Sequence, residues 1–165
     1  MRIPSILNQK FLVATLWGMT VVLLILGLSF PAGAELGGTL DSVQADQAHM
    51  RADSATIVKA GAYSVHEIKT PTGTVIREYV SSAGRVFGIA WQGPFIPDMR
   101  LLLGGYFQQY LAAAKAQRES HVGRQPLNIQ ETGLVVQSLG HMRAYSGRAY
   151  DPQLFPVGVS ANDIR

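Results

Sequence analysis

An α+β fold is expected: a single antiparallel β-sheet, built as a meander, a helix and a hairpin, with one long helix packed on one face. Three observations predict it. Two tight-turn signals separate three β-rich runs between Tyr63 and Trp91, which is the pattern of an antiparallel meander. Apolar residues then recur at three- and four-residue spacing from Met99 to Ala113, as on a helix with one buried stripe. Two further short β-rich runs follow, Leu127 to Gln130 and Leu134 to Tyr145. Strands and helix are segregated rather than alternating, which favours α+β over a parallel doubly wound sheet.

The chain opens on a segment of another kind. Arg2 and Lys10 stand in a basic head, Phe11 to Phe30 carries no charge, and Pro31-Ala32-Gly33-Ala34 precedes Glu35. A basic head, an apolar middle and a small-x-small end form the pattern of a secretory signal peptide. Residues 1–34 are therefore expected to be a leader cut between Ala34 and Glu35. An uncleaved anchor is the alternative, because Phe11 to Phe30 reaches the length of about 20 residues that spans a bilayer. Pro31, a helix breaker, and the small Ala32 and Ala34 favour cleavage. The expected location is periplasmic or secreted, or the inner membrane if residues 11–30 remain attached.

Residues 35–165 then form one α+β domain, with 35–53 an N-terminal extension or short helix and 147–165 an irregular tail. This part is long enough to bury a core. The whole chain has a formal charge of +3. Without Arg2 and Lys10, 12 basic residues face 11 acidic ones, leaving about +1. Such a surface argues against nucleic-acid binding, which needs clustered Lys and Arg. Arg outnumbers Lys nine to three in this part. There is no cysteine, so thiol catalysis, thiolate metal sites and disulfides are excluded.

Each element has its own signals. Leu40 to Arg51 can form a short helix capped by Asp41 or Ser42. Ala55 to Ala60 reads as a strand. Tyr63 to Lys69, Thr74 to Val80 and Arg85 to Trp91 are the meander, turned at Thr70-Pro71-Thr72-Gly73 and Ser81-Ser82-Ala83-Gly84. Setting Ile68 opposite Ile76 brings Glu67 to Arg77, His66 to Glu78 and Val65 to Tyr79, so opposite charges and apolar partners meet across the ladder. A one-residue slip would lose every pair. Asp98 is the expected N-cap of the helix, whose stripe is Met99, Leu102, Leu103, Tyr106, Tyr110 and Ala113. Gly104-Gly105 interrupts it at about 1 kcal/mol each, most simply to allow close approach to the sheet. The helix is expected to run to about Arg118 or Glu119. Ser120 to Pro126 reads as a polar loop. The last hairpin is expected to turn at Leu139-Gly140. The tail is too apolar to stay unpacked, and Ser160 can cap a final turn.

For chemistry, His49, His66, His121 and His141 have no close ligand spacing. No metal site, no cofactor and no catalytic set is predicted. Glu67 and Glu78 read as ladder pairs rather than as a glycosidase pair. Nucleophile-elbow, phosphate-loop and dinucleotide motifs are absent from the sequence. One constellation remains: Arg143, Tyr145, Arg148 and Tyr150, followed by Asp151, with Trp91 as an aromatic rim. Arg and Tyr are enriched in binding hot spots, so a groove for a peptide, a glycan or another envelope protein is one reading. The plainer reading makes Tyr145 and Tyr150 core aromatics and leaves Arg143 and Arg148 solvated.

The segments Ala34-Glu-Leu-Gly-Gly38, Tyr63 to Glu67, Gly73 to Val80, Phe87 to Pro94, Pro97 to Arg100, Gly133 to Ser138 and Gly140 to Arg143 together resemble a family of small exported proteobacterial proteins catalogued only as a domain of unknown function. The resemblance covers nearly all of residues 35–165. It implies one exported domain and brings no catalytic residues with it. The leading expectation is a non-enzymatic periplasmic binding or interaction module. The alternatives are an envelope hydrolase using His66 or His141 with a carboxylate, and a subunit of an envelope assembly.

Overall fold

The meander that begins the sheet is set by its side-chain pairs. In the computed structural model, which describes residues 35–39, 43, 54–120 and 126–165, β1 (Ser54–Ala60), β2 (Tyr63–Lys69), β3 (Val75–Ser81) and β4 (Val86–Gly93) pair in sequence, all antiparallel. The expected β2–β3 register is observed at every pair: Ile68 with Ile76, Glu67 with Arg77, His66 with Glu78 and Val65 with Tyr79. Arg77 Nε donates to Glu67 Oε2 at 2.8 Å. The pair is partly exposed, so it selects register more than it adds stability.

After β4 the chain crosses to the far side of the sheet through its helical segment and returns inward through β5 (Leu127–Glu131), β6 (Leu134–His141) and β7 (Ala144–Tyr150). The seven strands lie in the order β1-β2-β3-β4-β7-β6-β5. The helix-side core joins Leu36, Ile68, Ile76, Ile89, Leu102, Leu103, Leu134 and Val136. A second cluster on the other face joins Tyr79, Phe87, Ala90, Tyr150 and Ile164. Cover on both faces explains why β4 is buried continuously from Val86 to Trp91. All of these core residues fall within one unit, Ala32–Arg165, which carries its own hydrophobic core.

Asp98 caps the helical segment as expected, accepting from Arg100 N at 2.9 Å. The segment is broken, however. It runs as α1 (Met99–Leu103), a 3-10 turn (Gly104–Tyr106) and α2 (Phe107–Ser120). Gly104 has φ +46°, and a Cβ there would collide with the side chain of Glu35. Gly105 donates its N–H to Glu35 Oε2 at 3.1 Å, and a Cβ on it would meet nothing within 4 Å. The glycines therefore serve the N-terminal strap rather than a close approach to the sheet. Leu36 N–H donates to Leu102 O, and Gly37 and Gly38 bond to Val86.

Two other expectations are corrected. The last hairpin reverses at Met142-Arg143, with His141 opposite Ala144, not at Leu139-Gly140. Gly140 lies inside β6 opposite Tyr145, whose ring covers the space a Cβ would need. The irregular tail also starts later, because residues 147–150 belong to β7. From Asp151 onward the tail packs back: Ile164 is fully buried, Tyr79 Oη donates to Arg165 O at 2.6 Å, and Ser160 caps the final turn with Asp163. The expected helix over Leu40 to Arg51, apart from buried Val43, and residues 1–34, His49 and His121 lie outside the described residues.

Candidate functional site

A groove of about 1060 Å³ opens on the helix face of the sheet. Trp91 and Val136 form its floor, Met99 and Tyr110 its helical wall, and Leu127 its β5 wall. Its outer wall is the β6–β7 hairpin, from Ser138 to Met142, with Tyr145. Ile96, Leu139 and Met142 stand exposed at the rim, at 51%, 57% and 92% of their full surface.

The floor depends on one absent side chain. Trp91 of β4 is paired with Gly147 of β7, and a Cβ on Gly147 would overlap the indole. The ring therefore leans across the ladder onto the glycine backbone. Trp91 is buried, and among the described residues its Nε1–H has no hydrogen-bond partner. A buried donor left unmade costs about 1–3 kcal/mol. Among the described residues lining the groove none is an acid, an amide, a Lys or an Arg. Among the described residues, His141 and the two tyrosine hydroxyls are its titratable groups, and Ser138 adds a hydroxyl.

The five residues singled out in sequence are divided by the strand pleat. Trp91 and Tyr145 share the groove. Arg143 sits exposed at the hairpin tip with φ 61°. Arg148 and Tyr150 lie on the opposite face, since side chains alternate along β7. There Arg148 donates to Gln137 Oε1 at 2.8 Å and to the carbonyls of Ala161 and Ile164. Tyr150 packs on Phe155 with ring centroids 5.5 Å apart. Asp151 accepts from Tyr106 Oη at 2.7 Å, and burial, then this carboxylate, push the Tyr106 phenol up to about 12. These groups tie the tail and the helix to the sheet. Ala34 lies outside the described residues, and Glu35 holds the strap at Gly105.

The histidines take different places. His66 is 4% exposed, and its Nε2 lies 3.1 Å from Ser64 Oγ. Buried Glu78 stands opposite it on β3. Burial lowers the His66 pKa. Neither His66 nor Glu78 lines the groove. A Ser, His and carboxylate act together only where a substrate can be seated against them. His141 is exposed on the rim. Among the described residues no group of three or more His, Asp and Glu side chains could hold a metal ion, and no helix is long and apolar enough to cross a membrane.

Ser138, Met99, Tyr110, Leu139 and Met142 were not legible as site residues. They come from α1, α2, β6 and the turn after it, brought together only by the crossover from β4 to β5. The glycine opposite Trp91 becomes a signal only once β4 and β7 are known to be neighbours.

Fold and groove together define an α+β domain with an uncharged concave site between helix and hairpin. The chain belongs to the DUF2844 family, described as a protein of unknown function, whose model matches residues 32–164. No curated protein and no solved structure matches the chain.

Proposed function

We propose that this is an exported, non-enzymatic binding module that takes its ligand or envelope partner into the groove floored by Trp91. The observation that carries this reading is a large concave site whose lining is mostly apolar, with Tyr110, Ser138, His141 and Tyr145 as its polar side chains among the described residues. Ligand sites are typically concave and mostly apolar, with a few placed polar groups. The leader pattern in residues 1–34 supports export to the periplasm, with retention in the inner membrane as the alternative. N-terminal sequencing of the exported chain is expected to begin at Glu35, whereas a start at Met1 would favour the anchor.

A photo-crosslinking amino acid tests the binding reading at two exposed positions. Met142 on the groove rim and Val157 in the tail are 92% and 99% exposed, so they differ in place rather than access. A discrete adduct from Met142 and none from Val157 is expected in intact cells. The same adducts from both positions would overturn the reading.

A further inference from the structure

We propose that β1 is a docking edge for a second copy of this chain: two β1 strands pair antiparallel about Ile57 and join two sheets into one. β1 and β5 stand at the two ends of the sheet, and among the described residues no strand pairs with their outer sides. An unpaired row of N–H and C=O groups is a template for another chain. The two edges are finished differently. On β5, Gln117 accepts from Asn128 N at 3.0 Å, and Asn128, Gln130 and Glu131 are exposed and polar. On β1 the middle of the strand is Thr56-Ile57-Val58, all exposed, with Ile57 at 59% and Val58 at 56% of full surface. Neighbouring side chains on a strand stand on opposite faces, so β1 shows β-branched side chains to solvent on both. Such residues suit a strand that continues a sheet rather than ends one.

The neighbouring hairpin fixes which backbone groups are on offer. Thr70 N–H donates to Thr74 O at 2.9 Å, closing the turn between β2 and β3. Antiparallel pairs alternate between bonded and non-bonded, so Ile68, His66 and Ser64 bond to β3, while Glu67 and Val65 bond to β1. Their partners on β1 are Thr56 and Val58. The N–H and C=O groups of Ala55, Ile57 and Lys59 therefore face away from the sheet. Set against itself, this row is self-complementary. Ile57 meets Ile57 of the second copy, Ala55 meets Lys59, and Thr56 meets Val58. β-Branched residues then oppose each other on both faces, and Lys59, the only charged residue of β1, never stands opposite another lysine. A contact of this kind closes on itself as a two-fold dimer. A strand of another sequence would gain the backbone bonds without these pairs. No residue of β1 lines the groove, so the pairing leaves it open.

Residues 32–165, which carry their own core, are expected to sediment as a reversible dimer with a Kd of about 1–100 μM, in keeping with a small contact. Ile57→Pro removes an outward N–H without touching the ladder to β2. It should raise the Kd by about tenfold or more with an unchanged far-UV spectrum. The chain has no cysteine, so one introduced thiol reads the register. In Ile57→Cys the two substituted residues face each other at about 5.5 Å between Cα atoms, within disulfide reach. In Val58→Cys, at a similarly exposed position, they lie diagonally at about 7–8 Å, beyond it. Mild oxidation should link the first and not the second, and this pair decides the matter if Ile57→Pro fails to fold. A wild-type chain that stays monomeric at about 200 μM overturns the proposal. So does a Kd unchanged in folded Ile57→Pro, or Val58→Cys linking as fast as Ile57→Cys. An Ile57→Cys adduct in cells whose mass is not twice that of the chain assigns the edge to another protein and overturns the second copy.

Discussion

Trp91 and Gly147 face each other across β4 and β7, and the absence of a Cβ on one makes room for the ring of the other. The same relation joins Tyr145 to Gly140 on β6. Arg148 and Tyr150 stand close to Tyr145 in sequence, yet parity along β7 sends them to the other face. That division is hidden in the sequence, where the strand signal ends at Tyr145. The β2–β3 register, in contrast, was legible, because charged and apolar residues both have partners in only one alignment. His66 supplies a prediction at this scale. Burial holds its pKa below the ordinary value of 6.5, so the native state binds fewer protons than the unfolded chain as the pH falls. Its contribution to stability is complete above the unfolded pKa and lost on acidification. The drop in urea midpoint from about pH 7.5 to about pH 5 is expected to be smaller in His66→Gln, which keeps a partner for Ser64. An equal drop would place the acid sensitivity in other groups.

At the scale of elements, turn chemistry was the least legible part. Gly140 is the conventional turn residue, but the chain reverses at Met142-Arg143, where Arg143 itself adopts φ 61°. A turn with positive φ at its second central residue ordinarily places Gly or Asn there, but here the strand needs Gly140 for the Tyr145 ring. The helix break is hidden in the sequence for a related reason. Two glycines suggested close approach to the sheet, whereas the neighbour they accommodate is Glu35, distant in sequence. Edge protection is likewise a tertiary feature. Gln117 of α2 donates to Pro126 O, just before β5, and accepts from Asn128 N within it, and Gln109 donates to Thr132 O at 3.1 Å. Exposed sheet edges invite pairing with other chains. Gln117→Ala should cost about 1–2 kcal/mol and increase concentration-dependent association. Urea unfolding and analytical ultracentrifugation check the two effects. An unchanged midpoint with no association would mean that the edge needs no cap.

At the scale of the whole molecule, the sheet is a shared wall between two cores. The helix covers one face and the C-terminal tail the other, so the structure requires both ends of the unit. Leu36 and Ile164, near the two ends, are both almost fully buried. The sequence suggested that the tail packs, since it is too apolar to remain solvated, but not where. Arg148 fixes the place by donating to carbonyls of Ala161 and Ile164. Arg148→Ala is therefore expected to cost about 2 kcal/mol, as hydrogen bonds from a charged group are lost. Arg143→Ala, at the exposed tip, should stay within about 0.5 kcal/mol. Equal urea midpoints for the two variants would remove Arg148 from its role as the tail clamp.

The groove lies on the helix face, away from that clamp, and Trp91 at its floor is a built-in reporter of what enters it. Residues 32–165 labelled with 15N give a single indole cross-peak, because Trp91 is the only tryptophan there. Titration with at least one of dodecanoic acid, phosphatidylcholine vesicles, chitohexaose and a capped Val-Leu-Val-Leu peptide is expected to move that peak to saturation, and to leave it in place in Ser138→Phe, which fills the groove. A peak that stays fixed in the wild-type chain through dodecanoic acid, phosphatidylcholine vesicles, chitohexaose and the capped peptide would contradict the assignment of the groove as a ligand site.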